Sequence, residues 1–422
     1  MPTSYIPNTK AEQDEMLAAI GVAAVEDLFA DIPEAVRLRR DLNLPPARSE
    51  GELVAHMQAL ANENASGTCF AGGGIYDHFI PAAVSEIIGR QEFYSAYTPY
   101  QAEMSQGTLQ TIFEYQTMIC RLTGMDISNA SLYDGATACV EAMLIAADVT
   151  RRNEIVLAGA IHPEYIAVIK TYARFRNLRI TDEITDNCAA VIAQNPNYYG
   201  LLEDLETIGQ AAKAKGALFI VSVDPISLGI LETPAAFGAD IVVGEGQALG
   251  NPMNFGGPGF GFFACKAAYM RKVPGRIVGE TTDANGKRGF LLTLQAREQH
   301  IRREKAGSNI CSNQALCALA ATVYMSIMGK EGLRKVAELC LQKAHYLYDA
   351  LLATGKFAPR FTAPFFKEFA LTYTGGDIKT IYNTMRDNGM TPGIILPDNG
   401  LLIAVTEKRT KAEMDVYARS VR

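Results

Sequence analysis

Between about residue 130 and residue 266 the chain switches repeatedly between two spacings of apolar side chains. They fall at helical intervals in "DGATACVEAMLIAADVTR", "HPEYIAVIKTYARFRN" and "LLEDLETIGQAAKAKG", and run almost unbroken in "NEIVLAGA", "AAVIAQNPN", "ALFIVSVDP" and "ADIVVGEG". The first spacing predicts helices with one buried face, and the second predicts short strands covered on both sides. "LRITDEI" and "GFGFFAC" read as two further strands. Strands alternating with helices predict βαβ units and a mostly parallel, doubly covered sheet.

Upstream the pattern is helical and no strand pattern precedes it. Thr9-x-x-Glu12 and Ser49-x-x-Glu52 both fit the capping box, in which side chain and backbone satisfy each other's orphan groups at a helix start. "ADIPEAVRL", with Asp31 and then Pro33, predicts another start. "GTLQTIFEYQTMICRLTG" is apolar at helical spacing up to a C-capping Gly124. A long helix is expected from near Ser312 and onward past Gly329, and strand and helix patterns alternate again from about Lys356. The expected division is a helical extension (1–70) packed on a large α/β domain (71–330), then a small C-terminal α+β domain (331–422).

Length agrees with more than one core, since 422 residues exceed what a single core usually fills. A net charge of −7 argues against nucleic acid as the main partner, because phosphate binding needs a concentrated basic surface. The N-terminus has neither the basic nor the apolar stretch of a secretory signal, and the longest apolar runs are too short to span a bilayer. The eight cysteines form no C-x-x-C pair and read as free thiols in a reducing cytoplasm. With five histidines and no H-x-x-x-H pair, no metal site is expected.

Candidate chemistry lies in a few loops. Asp224 stands where a parallel strand ends, the edge at which open α/β sheets present ligand-binding groups. A carboxylate there suits a pyridinium N–H, and equally the turn that Pro225 opens. "YTPYQAE" gathers Tyr97, Thr98, Tyr100, Gln101 and Glu103 around one proline, as a binding surface or a structural loop would, and "QNPNYYG" has the same character. "REQHIRREK" clusters Arg297, His300, Arg302, Arg303 and Lys305, which suits an anionic group, an acidic partner or a solvated face. "FGGPGFG" lacks the G-x-G-x-x-G spacing and leads into a strand, so a turn or close packing is its better reading. A pyridoxal-phosphate enzyme needs an amine on the turn after the strand that follows the Asp, yet "GEGQALGNPMNFGGPG" holds no lysine. Lys266 lies past the glycine turn and is a poor substitute.

The runs "YTPYQAEMSQG", "QNPNYYG", "GNPMNFGGPGFGFFA", "PGRIVGE" and "REQHIRREKAGSNICSNQAL" resemble glycine decarboxylase, the P-protein of the glycine cleavage system. The likeness runs the length of the chain and is to subunit 1, the equivalent of the N-terminal half of the single-chain form. It implies an α/β pyridoxal-phosphate-dependent transferase fold of the aspartate-aminotransferase type, with the Schiff-base lysine on the other half. Laid over that pattern and anchored on "GGPG", the lysine position falls at Gln247, whose amide is not nucleophilic, and Asp224 becomes a degenerate cofactor position.

The resemblance therefore implies no catalytic residue in this chain. Pyridoxal phosphate is expected on a lysine-bearing subunit 2, with none covalently bound here. The other expected partner is lipoylated H-protein, whose lipoyl arm takes the aminomethyl group left when glycine loses CO2. Neither nucleic acid nor membrane is expected. A heterotetramer is implied, with Tyr97, Thr98, Tyr100, Gln101, Glu103, Asn254, Gly256 and Gly257 as candidates for a shared site. Arg297, His300, Arg302 and Arg303 are the candidates for partner contact. A purely structural or regulatory paralogue is the alternative; an independent enzyme using Lys266 is disfavoured by Gln247.

Overall fold

The computed structural model describes residues 7–64 and 67–421. They belong to two compact units divided between residues 65 and 66. In the first, both capping boxes form. Thr9 donates its N–H to Glu12 at 2.6 Å and accepts from the Glu12 N–H at 3.4 Å, starting α1 (Lys10–Ile20). Ser49 and Glu52 do the same at 2.8 and 3.4 Å, starting α2 (Glu50–Asn62). The start expected at Asp31 is corrected: only a 3-10 turn forms, at Glu34–Val36. Ile32, Val36 and Leu38 are 41%, 71% and 54% exposed, so no buried stripe offsets the cost of nucleating a helix there.

The second unit opens with β1 (Thr68–Cys69), α3 (Ala82–Ile88) and α4 (Gln106–Thr123), the last capped by Gly124 at φ 75°. Then come β2 (Ile127–Ser128), α5 (Gly135–Thr150), β3 (Glu154–Ala158), α6 (Pro163–Phe175), β4 (Arg179–Thr181), β5 (Cys188–Asn195), α7 (Leu205–Ala214), β6 (Leu218–Val223), β7 (Ile241–Glu245) and β8 (Gly261–Cys265). These strands form one sheet in the order β2-β8-β7-β6-β5-β3-β4. From β4 to β7 neighbours run parallel, and β8 and β2 are antiparallel. Side chains of β5 and β6 alternate between two cores: Val191, Ala193, Phe219 and Val221 enter one, and Ala190, Ile192, Leu218 and Ile220 the other. Burial on both faces explains why these strands read as unbroken apolar runs.

A hairpin of β9 (Ile277–Thr282) and β10 (Arg288–Thr293) and a short α8 (Gln299–Arg302) lead to α9 (Ala315–Leu352). Gly329, at φ 56° and ψ −171°, interrupts α9, which runs through the expected boundary at 330/331. Its first half packs on the core under the parallel sheet. Ala344, Leu347 and Leu351 of its second half enter the core of a smaller antiparallel sheet. That sheet has the order β11-β12-β15-β14, built from β11 (Phe357–Pro359), β12 (Glu368–Tyr373), β14 (Ile394–Leu396) and β15 (Gly400–Ala404). The short β13 (Met390–Thr391) pairs with β1, and α10 (Ile378–Asp387) and α11 (Lys411–Ser420) complete the layer. No helix among the described residues is long and apolar enough to cross a membrane. The cysteines are free thiols, with Cys311 the exposed one.

Candidate functional site

Parallel strands deliver their C-terminal ends to one edge of the sheet, and there Asp224, just after β6, and Glu245, the last residue of β7, line a cavity of ≈ 40 Å³ with Tyr76, His162, Lys367 and Glu368. Asp224 Oδ2 lies 2.6 Å from Lys367 Nζ, with the lysine side chain 1% exposed. The ammonium also stands 3.6 Å from the Tyr76 ring centroid and 2.9 Å from His78 Nε2. An ammonium can only donate, so Nε2 accepts and the imidazole proton sits on Nδ1, 2.6 Å from Glu407 Oε2. Burial and the Lys367 charge hold the His78 pKa down. Burial alone would raise the Glu407 carboxyl, but the His78 hydrogen bond and the Phe79 N–H outweigh it and hold it at about 2. Cys340 joins His78 and Glu407 in a group whose potential ligand atoms lie within 4.8 Å of one another. Both ring nitrogens of His78 are already engaged, which makes this a hydrogen-bond network as it stands.

Two more carboxyls line the cavity, Glu245 and Glu368, and Gln247 lies on the turn beside it. The Glu245 carboxylate accepts the N–H of Gly135, at the start of α5, at 3.0 Å, and those of Gln247 and Phe260 at 3.1 Å. Burial nevertheless pushes its carboxyl up to about 7. Gln247 is 2% exposed; its Oε1 accepts the Tyr76 N–H at 2.9 Å, and its Nε2 donates to the carbonyls of Tyr76 (3.1 Å) and Asn251 (2.7 Å). Glu368 accepts from the Gly73 N–H at 2.7 Å and the Tyr76 hydroxyl at 2.8 Å, and burial pushes it up to about 7.

The other sequence-nominated residues lie on the surface, except Arg297. Tyr97 is 85% exposed and Tyr100 53%; Gln101 and Glu103 are exposed and Thr98 half-buried. Tyr100 is brought together with His300, their rings 6.0 Å apart edge to face. Buried Arg276 lies behind them, donating to Tyr100 Oη at 2.9 Å and pairing with Glu298 at 2.7 Å. The turn Asn254–Gly257 lies outside the Asp224 cavity, with φ 45° at Asn254, 55° at Phe255 and 103° at Gly256. Arg302 and Arg303 are exposed. Arg297 is turned inward, donating to the carbonyls of Leu294 and Gly275 at 3.0 and 3.1 Å and to that of Val273. Lys266 pairs with Asp240 at 2.7 Å, away from Asp224. Sequence reading missed Lys367, Glu245, Tyr76 and Arg276. The one local signal was "FFKEF", two charges inside an apolar strand pattern.

The family model described as "Glycine cleavage system P-protein" matches residues 3–419. A protein of Chlorobaculum parvum named "Probable glycine dehydrogenase (decarboxylating) subunit 1" is 54% identical over 98% of both chains. The solved structure of a glycine decarboxylase (P-protein) of the glycine cleavage system, in inhibitor-bound form, superposes with a TM-score of 0.93 at 42% identity, covering 99% of both chains. The Lactobacillus brevis glutamate decarboxylase, at TM-score 0.68 and 11% identity over 93% of this chain and 96% of that one, shares the fold alone. The fold is that of the pyridoxal-phosphate-dependent transferases.

Pyridoxal phosphate does not fit the residues of this cavity. Asp224, the group for a ring nitrogen, already holds an ammonium. The N-terminus of α5 is the natural anion site at this edge, yet the Glu245 side chain already takes its Gly135 N–H. Nor is there slack, since a methyl group added at Gly135 would collide with Tyr165 Oη. Gln247 offers no nucleophilic amine. The ≈ 40 Å³ available suits about one water, whereas small-molecule pockets begin at roughly 300 Å³.

Proposed function

Because the chain belongs to the glycine cleavage system P-protein family, we propose that it is the half of a glycine decarboxylase that carries no cofactor lysine and works only with a lysine-bearing partner subunit. The observation that carries this reading is the filled cavity, with Lys367 on Asp224 and Glu245 on the α5 N-terminus, beside a turn that carries Gln247 and no lysine. The relatives' printed name, an enzyme subunit, favours this over a purely structural or regulatory paralogue. Pyridoxal phosphate then belongs to the partner, where glycine loses CO2 before the aminomethyl group passes to the lipoyl arm of H-protein.

This chain contributes shape and surface. The loop of Tyr97, Thr98, Tyr100, Gln101 and Glu103 reaches the shared site or its mouth, and so does the turn of Asn254, Gly256 and Gly257. The exposure of Tyr97 and of Phe255, 92% exposed in that turn, supports this. His300, Arg302 and Arg303 meet an acidic surface of H-protein or of the partner, with Arg297 bracing the segment from inside. A pairing of two unlike halves, doubled into a heterotetramer, follows from homodimer-like ancestry. Free thiols suit the cytoplasm.

Borohydride trapping with pyridoxal phosphate and peptide mapping tests the reading, first on this chain and then with the partner. Label on the partner alone is expected. Stoichiometric label on any lysine of this chain would overturn it. For the loop, Tyr97→Phe, Tyr100→Phe and Glu103→Gln are expected to slow glycine–CO2 exchange in the reconstituted complex. Three unchanged rates would remove the loop from the site.

A further inference from the structure

Tyr100 and His300 come from different segments, one in the tyrosine-rich loop and the other in the basic segment, and a single buried arginine lies behind both. Arg276 is 3% exposed. Its Nη1 pairs with Glu298 Oε2 at 2.7 Å, and its Nη2 donates to the Cys311 carbonyl at 2.7 Å and to Tyr100 Oη at 2.9 Å. The guanidinium carbon also sits 4.8 Å from the Tyr100 ring centroid, which fixes the ring plane as well as the oxygen. Glu298 is equally buried, and its Oε2 lies 3.6 Å from His300 Nδ1.

Donor and acceptor roles here follow from chemistry. Arginine has N–H donors and no acceptor, so the Tyr100 oxygen receives and its own hydrogen is left for another group. His300, with its side chain 41% exposed, stands at the rim of the same cluster. One hydroxyl donor therefore stands on an exposed loop beside an imidazole ring, with a buried ion pair as backing. Taking both charges of that pair out of water is costly, and pairs of this kind rarely add net stability over apolar packing. Their use lies in holding functional groups to within about half an ångström, which side chains on open loops do not achieve by themselves.

We propose that Arg276 is a positioning residue for the shared site, holding the Tyr100 ring and oxygen so that the hydroxyl hydrogen is presented to an anionic group in the partner subunit. This rests on the reading that the loop reaches that site, and the experiment separates the two.

Glycine–CO2 exchange is measured in the reconstituted complex with H-protein for Tyr100→Phe, Arg276→Gln and the double variant, below the melting temperature of each. Each single change is expected to lower kcat about tenfold, with the double variant within about twofold of either, because Arg276 acts through an oxygen that Tyr100→Phe has removed. Arg276→Lys, which keeps the buried charge but not the planar fork that reaches Glu298, Cys311 and Tyr100 together, guards against a folding defect; it should recover part of the kcat lost in Arg276→Gln and have no effect in the Tyr100→Phe background. Effects that multiply, or an Arg276→Gln complex as fast as the parent, would overturn the proposal. A Tyr100→Phe complex as fast as the parent would instead sink the reading of the loop, and the proposal with it.

Discussion

At Asp224 a carboxylate at the end of a parallel strand finds its cation in Lys367, a side chain from the residue just before β12. Removing one partner of a buried pair strands the other charge, so Lys367→Met is expected to cost about 3–5 kcal/mol in denaturant unfolding. Lys367→Met combined with Asp224→Asn should regain most of that; equal losses in single and double variants would show that the pair is not the source. The cavity's carboxyls set a pH dependence. Glu245 and Glu368 are pushed up to about 7 from 4.5, so between those values the unfolded chain has released protons that the folded chain keeps. Their contribution to stability therefore falls as pH rises from 4.5 to 7 and is level above that. Glu407, held at about 2, acts oppositely: its contribution is full above 4.5 and is lost as pH falls toward 2. Unfolding measured at pH 5 and 8 should be harder at pH 5 on this account, and Glu368→Gln should flatten the difference. A difference that Glu368→Gln left untouched would exclude Glu368 as a source.

Among the elements, α9 joins the two sheet layers and changes direction at Gly329, whose φ of 56° with ψ −171° is a region kept essentially for glycine. An added Cβ would meet nothing within 4 Å, so Gly329→Ala tests conformation without a clash. A loss of about 1–3 kcal/mol is expected from thermal unfolding, and a neutral result would mean that α9 can straighten. Capping boxes at Thr9 and Ser49 could be read from the chain because their partners lie three residues apart. The turn at Glu34–Val36 was misread as a helix start because the same local signals say nothing about what buries the following turn.

For the whole molecule the filled cavity fixes the expected cofactor count. Native mass spectrometry of the reconstituted complex should show one pyridoxal phosphate per pair of unlike subunits; two would mean that this chain's cavity accepts it. Gln247→Lys alone should not change the count, since Asp224 would still be paired with Lys367 and the α5 N-terminus with Glu245. A reducible adduct on the Gln247→Lys side chain would mean that this cavity admits the cofactor.

The parallel sheet, its flanking helices and the absence of a lysine from the turn after β7 were determined by the sequence by itself, because periodicity, caps and side-chain identity are local properties. The partner of Asp224, the carboxylate on α5 and the arginine behind Tyr100 were decided by the tertiary structure. Lys367 meets His78 across 289 residues and Arg276 meets Tyr100 across 176, and no local pattern records which distant charge will be buried against which.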